Sequence, residues 1–536
     1  MLCALPALLS EGLLRHTRTH YQLPQGFYPL ESLFLLLALL ALARCRSLEQ
    51  VRYQAPGEWG KLLGLDRLPE VKTLRAKIGL LCDQEGKAAS WQSQLAKDWM
   101  AAAGSESQNP QENAAGLFYT DGHVRVYHGH LTPLPRRYVA RQRLCLRATT
   151  DYWVNGLGGE PFFMVTMPVN PGLIAVLREK IVPQLLIDAP QPGTEVLEAD
   201  PHAVRFTIIF DREGYSPDFF AEMKKQRIAV LTYHKFPGEK WPAEEFSTQS
   251  VKLHTGEVVD LKLAERGTCL SNGLWVREVR ELNADGGQSS ILCTNYKLDL
   301  TRIAALMGAR WSQENFLKYM RENFGLDRLI EHGTTPLPET TMVINPAYRR
   351  LDQQVRRERA QLQRLQVKFG SHLLPAEPTP EQTQQFEARG GELREKIQQQ
   401  EGLFQERKAE RRKTPHKLTL KELPEAERFQ QLCPESKHFI DTVKMIAYRA
   451  ESAMAGEVRE HLAREDDARA LLRRLFLTPV NLRPDPAAGT LTVEIHRMGS
   501  PLQDAAIAQL CKFLTDTETT FPTTSLRLIY SQVGSG

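Results

Sequence analysis

Residues 118–129 read FYTDGHVRVYHG, and two incompatible structures fit them. Asp-Gly between two strand-like runs is a strong hairpin signal, because both residues tolerate the positive φ of a tight turn. An Asp ending a buried strand, with His123 beside it, can equally hold a metal ion. The choice depends on what surrounds the stretch.

Downstream, VRFTIIF (204–210) is a nearly continuous apolar run that ends on Asp211, as expected of a strand buried on both faces. Ser216 is a good N-cap, Pro217 suits a first helical turn and Asp218 suits the helix dipole. FFAEMKKQ follows as a helix and IAVLTYH (228–234) as a strand. This is a β-α-β unit with a carboxylate at the carboxyl end of its first strand, where open α/β sheets place their chemistry. LFYT, HVRVY and PFFMVTMPV (161–169) also read as strands, and 172–186 as a helix. Residues 246–294 alternate in hydrophobicity and are punctuated by TG, SNG and ADGGQ, the pattern of an antiparallel β insertion, expected to be looped out from the core strands. A helix over 300–323 follows, with Gly308 marking a bend.

Around this α/β region, 536 residues leave room for two to four domains. Hydrophobic content of 42% and charged content of 25% are those of a globular protein. A net charge of +4 demands no polyanionic partner for the whole molecule, although a local basic face remains open. The eight cysteines lie far apart without a CxxC pair, which argues for reduced thiols and against a zinc site. The apolar run 33–43, bounded by Glu31 and Arg44, has eleven residues; a bilayer needs about 20. It is expected to be a buried helix, and no membrane partner follows.

Residues 1–102 form a helical N-terminal domain in this reading. SLEQ (47–50) offers a helix start, and 57–78 contains two short helices around Pro69, the second carrying Lys72, Arg75 and Lys77. That suits either a DNA-binding helix-turn-helix or a plain bundle with a solvated basic face. A polar stretch, 103–116, reads as a linker. The segment 347–417 carries 16 Lys or Arg against 10 Asp or Glu, a local charge of +6. Leu351, Val355, Leu362, Leu365 and Phe369, then Phe386, Leu393, Ile397 and Phe404, recur at coiled-coil spacing on either side of Pro375, Pro378 and Pro380. An antiparallel coiled-coil hairpin is expected. Residues 418–536 form a C-terminal α+β region with strands at 491–495 and 526–530.

In RWSQENFLKYMR, Arg310, Glu314 and Arg321 fall on one helix face, at roughly 0°, 40° and 20°. Alone, such a stripe is most often a surface ion pair. With Asp121 and Asp211 it makes three carboxylates flanked by guanidinium groups. Two-metal phosphoryl chemistry requires such a set: carboxylates hold two Mg²⁺ ions about 4 Å apart, and arginines contact phosphate oxygens bidentately.

These residues resemble the DDE transposases of bacterial insertion sequences. Their glutamate signature is Y-x2-R-x3-E-x6-K; here Met307, Arg310, Glu314 and Arg321 occupy its four places, and CTN (293–295) is similar to the usual lead-in. The tyrosine is thus replaced, and arginine stands for lysine. The resemblance covers about 117–345 and implies a multidomain α/β chain with an RNase H-like catalytic core, the β insertion (about 246–294) preceding the glutamate. It makes Asp121, Asp211 and Glu314 the catalytic metal ligands, and Arg310 and Arg321 the DNA contacts. The implied reaction is cleavage at the element's ends and attack of the freed 3′-hydroxyl on target DNA, using two Mg²⁺ ions for which Mn²⁺ can substitute. The implied partners are double-stranded DNA and a second copy of the chain, in the bacterial cytoplasm at the nucleoid. On this view Asp121 ends the first core strand and Gly122 eases the chain into the next, with His123 facing solvent. The rivals are an RNase H-like nuclease without strand transfer and a transposase-derived DNA-binding or scaffold protein without catalysis.

Overall fold

A computed structural model describes residues 1–105, 116–129, 134–139, 142–167, 169, 171–328, 334–371, 379–425, 428–462 and 464–534. The chain divides into two compact units: the described residues within 334–431 form the smaller one, and the other described residues belong to the larger. Residues 1–102 and 432–536 are therefore not bodies of their own but parts of the unit that contains the sheet. Most of the expected linker, 106–115, lies outside the described residues.

The large unit is organised by one sheet of ten strands: β1 (Leu117–Val126), β2 (Arg136–Val139), β3 (Leu144–Asn155), β4 (Pro161–Met167), β5 (Phe206–Phe210), β6 (Ile228–Tyr233), β7 (Ser247–Lys252), β8 (Val258–Cys269), β9 (Trp275–Leu282) and β10 (Gln288–Cys293). Their order is β2-β3-β1-β5-β6-β10-β9-β8-β7, with β4 on the free half of β3. Strands β1, β5 and β6 are mutually parallel, and β3 runs antiparallel to β1. All five residues of β5 are buried, which its central place requires.

Two expectations need correction here. The Asp-Gly pair makes no turn: β1 runs straight through it, with Asp121 opposite Trp153 and Gly122 opposite Tyr152 on β3. The glycine serves packing instead, since a Cβ at 122 would lie 3.1 Å from the Tyr152 ring. The β insertion is not looped out of the sheet either. β10 pairs with β6, so the four strands extend the sheet and satisfy backbone groups that β6 would otherwise expose at an edge.

Helices cover the sheet. Leu30–Leu42, which contains the 33–43 run up to its last residue, is buried at every position but Glu31. It packs against Pro434–Arg459. Tyr21, Phe34, Trp91 and Phe439 form a ring cluster with centroids 5.3–6.0 Å apart. Glu435 accepts the backbone N–H groups of Gly86 and Ala88, capping the helix Lys87–Ser105. From that helix Gln92 accepts the N–H of Met164 in β4 and donates to Thr442. The N-terminal helices thus pack both on the sheet directly and on a helix more than 300 residues later in the chain. Ser47 precedes a 3₁₀ turn and makes no side-chain cap, whereas Ser216 accepts from Phe219 as expected. All eight cysteines are free. Among the described residues, no helix is long and apolar enough to cross a membrane.

The small unit is built on two long helices, Pro346–Gly370 and Pro380–Lys413. They run antiparallel, because Asp352 meets Arg411, Glu358 meets Gln400 and Phe369 meets Arg394. Every seam position read from the spacing is buried or half-buried, with Val355, Leu362 and Leu393 deepest. Pro380 starts the second helix behind a Thr379–Gln382 capping box; Pro375 and Pro378 lie outside the described residues.

Candidate active site

The parallel register brings the first two carboxylates together. Thr120 pairs with Phe210, so Asp121 and Asp211 are the next residues along two adjoining strands. One step back on this face, Tyr119 and Ile209 are buried against Leu306 and Met307, and Tyr119 donates to the Leu306 carbonyl at 2.9 Å. Asp121 Oδ1 accepts the N–H of Gly122 at 2.7 Å. Asp211 ends β5, accepts the N–H of Glu213 at 2.8 Å, and offers its carbonyl to Thr232 on β6.

Glu314 comes from the other side. The predicted 300–323 helix is two helices, Leu300–Gly308 and Arg310–Asn323, breaking at the expected bend. Buried Gln313 locks the second across the sheet, donating to the carbonyls of Tyr119 and Trp153 and to Asn155 Oδ1. Gly159, at φ +87°, lets the β3–β4 turn lie against its first turn; a Cβ there would be 2.6 Å from the Ser312 carbonyl oxygen. Farther along, Tyr319 donates to the fully buried Glu451, which also binds Arg44. Two residues far outside the resemblance therefore anchor the helix that presents Glu314.

Asp121 senses the other two carboxylates. Burial, then the charge of Asp211, with Glu314 adding to it, push the Asp121 carboxyl up to about 7 against the partial relief of Arg310. Partial burial and Asp211 likewise raise Glu213, a fourth carboxylate that the sequence reading passed over although it lies in the same DREG stretch. Glu314, 33% exposed, forms an ion pair with Arg310 at 2.6 Å, the pairing that i, i+4 spacing permits. Arg321 is half-buried, 3.4 Å from Glu322. Trp311, 63% exposed beside Arg310, was also missed. His123 faces inward, with Nε2 2.6 Å from Asp327, because β1 continues past Asp121 into the core.

The donor set is all oxygen, the kind that Mg²⁺ selects, and the ionised Asp121 carboxyl is disfavoured first by burial and then by the charge of Asp211, both of which a cation would offset. Asp121 and Asp211 fit such an ion. Glu314 does so only on leaving Arg310: among the described residues, no three His, Cys, Asp or Glu side chains form a group able to hold a metal.

The raised carboxyl has a measurable sign. An unperturbed Asp ionises near 3.8 and Asp121 near 7, so the metal-free fold should lose stability from this group as pH climbs between the two values. Asp121→Asn holds the neutral form. In chelator it should exceed the parent by up to about 4 kcal/mol above pH 7, one pKa unit being worth about 1.4 kcal/mol, with the gap closing towards pH 4. Urea unfolding across that range checks this; a variant weaker than the parent at every pH would refute the raised Asp121 carboxyl.

A model of the family described as "Transposase protein" matches residues 1–534. No curated protein matches the chain.

Proposed function

The chain belongs to that family of transposase proteins, and from this premise we propose that it is a DDE transposase with an RNase H-like core. One observation carries the reading: two aspartates sit side by side on the parallel strands β1 and β5, facing a glutamate on a helix locked across the sheet. The strand order supports the fold, with β4-β3-β1 antiparallel and β5 and β6 parallel to β1.

Asp121 and Asp211 would hold Mg²⁺, with Glu314 joining them on exchange of its partner Arg310. The bound ion would activate the attacking water or 3′-hydroxyl and neutralise charge on the leaving oxygen. Arg310, once released, and Arg321 on the same helix face would take phosphate oxygens, orienting the scissile strand. Trp311 offers a face on which an unpaired base can stack. Double-stranded DNA is the substrate and two copies of the chain would act on paired ends. Recognition of the ends is assigned to residues 1–102, where Lys72 is exposed and Arg75 pairs with Glu49. The basic helical hairpin would bind DNA or pair subunits as a coiled coil.

Plasmid carrying the element's ends, incubated with protein and Mg²⁺, tests this. Nicking and joined strand-transfer products are expected; nicking alone would leave the nuclease. The reading without catalysis rests on the Arg310–Glu314 pair, and the absence of any cut would favour it. Arg321→Gln should weaken binding of end DNA several-fold and lower the slope of log K against log salt by about one unit. Unchanged affinity and slope would remove Arg321 from the DNA path.

A further inference from the structure

The helical hairpin of the small unit carries its charge unevenly. Its first helix, Pro346–Gly370, has seven Lys or Arg against two carboxylates, whereas Pro380–Lys413 has eight against seven. At about 100° per residue, Arg349, Arg350, Arg356, Arg357, Arg364 and Lys368 fall within roughly 120° of one another, on the side turned away from the seam. All six are exposed. Neither carboxylate of that helix shares their arc: Asp352 is held between Arg356 and Arg411, and Glu358 accepts from Gln400 across the seam. Among the described residues, Arg356 is the only one of the six in an ion pair. On the second helix the sign reverses. Glu381, Glu392, Glu395 and Glu406 are exposed and fall within about 60°, again away from the seam, and a cation enters that arc only at the last residue, Lys413. A helix face that is merely solvated interleaves the two signs as i, i+4 pairs; these two outer faces separate them.

We infer that the cationic ridge of Pro346–Gly370 lies along the phosphate backbone of duplex DNA, with the acidic ridge of Pro380–Lys413 turned away from it. The inference rests on the transposase reading, in which DNA is the substrate, and commits the hairpin to that partner and to one face. Arg349 and Lys368 are 19 residues apart, so the ridge is about 29 Å long, somewhat less than one duplex turn of about 34 Å. Five of its six cations are arginines, whose planar forks match phosphate oxygens. A one-sign ridge gains affinity by releasing the counterions condensed on DNA, and such contacts carry no base preference. The acidic ridge repels the same backbone, which fixes the face that meets it. A second copy offering its own acidic ridge would gain far less. Exposed ion pairs contribute little, and Val367 is the large apolar side chain that the cationic face exposes.

The test is the full chain with Arg350→Gln, Arg357→Gln, Arg364→Gln and Lys368→Gln together, titrated with a duplex of arbitrary sequence between about 50 and 200 mM salt. At about 0.9 units per phosphate contact, the slope of log K against log salt should fall by about two to four units, and affinity at the lower salt by at least about tenfold. The urea midpoint should stay at the parental value, since all four side chains are exposed. Arg350→Lys, Arg357→Lys and Arg364→Lys, which keep every charge, should keep the slope; losing it here too would mark a packing role and overturn the inference. Glu392→Gln with Glu395→Gln should leave duplex affinity as it was, and a tenfold gain would put DNA against the other face and overturn it. An unchanged slope in the Gln set would overturn the ridge contact and leave the transposase reading standing. Duplex affinity kept while the Gln set dissociates a dimer in sedimentation would make the ridge a contact between copies and overturn its role in DNA binding. An unsubstituted chain that binds duplex through the ridge yet never cuts it would overturn the transposase reading alone.

Discussion

Asp121→Asn, Asp211→Asn and Glu314→Gln are each expected to lower DNA cleavage by about 10³-fold or more, with the chain still folded. The three residues are separated by 90 and 103 positions, yet the charges of Asp211 and Glu314 both act on Asp121. Each substitution keeps size and removes charge, so the cation loses a ligand and the packing loses nothing. Combined substitutions should cost little more than one, because residues that act as a unit are not additive. Plasmid nicking in Mg²⁺ measures the rate, and urea unfolding of the same samples confirms the fold. A Glu314→Gln protein that cuts end DNA at the parental rate would sink the assignment, and with it the exchange of Arg310 for a cation at that carboxylate.

The largest stability effect is expected from Asp151→Ala. Asp151 is fully buried and accepts from Arg125 at 2.7 Å, whose side chain is 2% exposed. Burial would raise the Asp151 carboxyl, but Arg125, with Lys437 behind it, holds it below the ordinary carboxylate range. Removing it strands a guanidinium that cannot shed its proton, at about 3–5 kcal/mol. The charge-free pair Arg125→Met with Asp151→Leu should recover much of that loss, since the penalty comes from the unpaired ion. Chemical denaturation in chelator measures both; a loss below about 1 kcal/mol for Asp151→Ala would show that the neighbouring Asp327 and Asp441, which also act on Arg125, replace the partner.

This buried ionic layer also shows where sequence reading fails. Lys437, Asp441, Lys444 and Glu451 look like the wet side of a surface helix, yet all four are buried. Asp441 pairs with Lys437 and Lys444 within its own helix, but the other partners lie elsewhere in the chain: Glu451 binds Arg44, and Lys444 also reaches the Gly325 carbonyl. A charge can be inside only when paired, and no local pattern announces a partner 407 residues away. His123 was misplaced for the same reason, its partner Asp327 lying 204 residues away.

What the sequence determined by itself was local. The buried helix at 33–43 follows from hydrophobicity, the Ser216–Pro217 helix start from capping, the helical hairpin from its seam, and the bend at Gly308 from a weak helix former. The carboxylate ending β5 followed from the apolar run before it. Only the tertiary structure decided whether Asp-Gly would turn or continue, because glycine serves a turn and a close packing contact equally well and Tyr152 chose between them. It alone joined β10 to β6 and folded the two chain ends into one unit. Strand pairing and helix packing satisfy backbone groups and apolar faces wherever a complement exists, and sequence distance does not enter that energy.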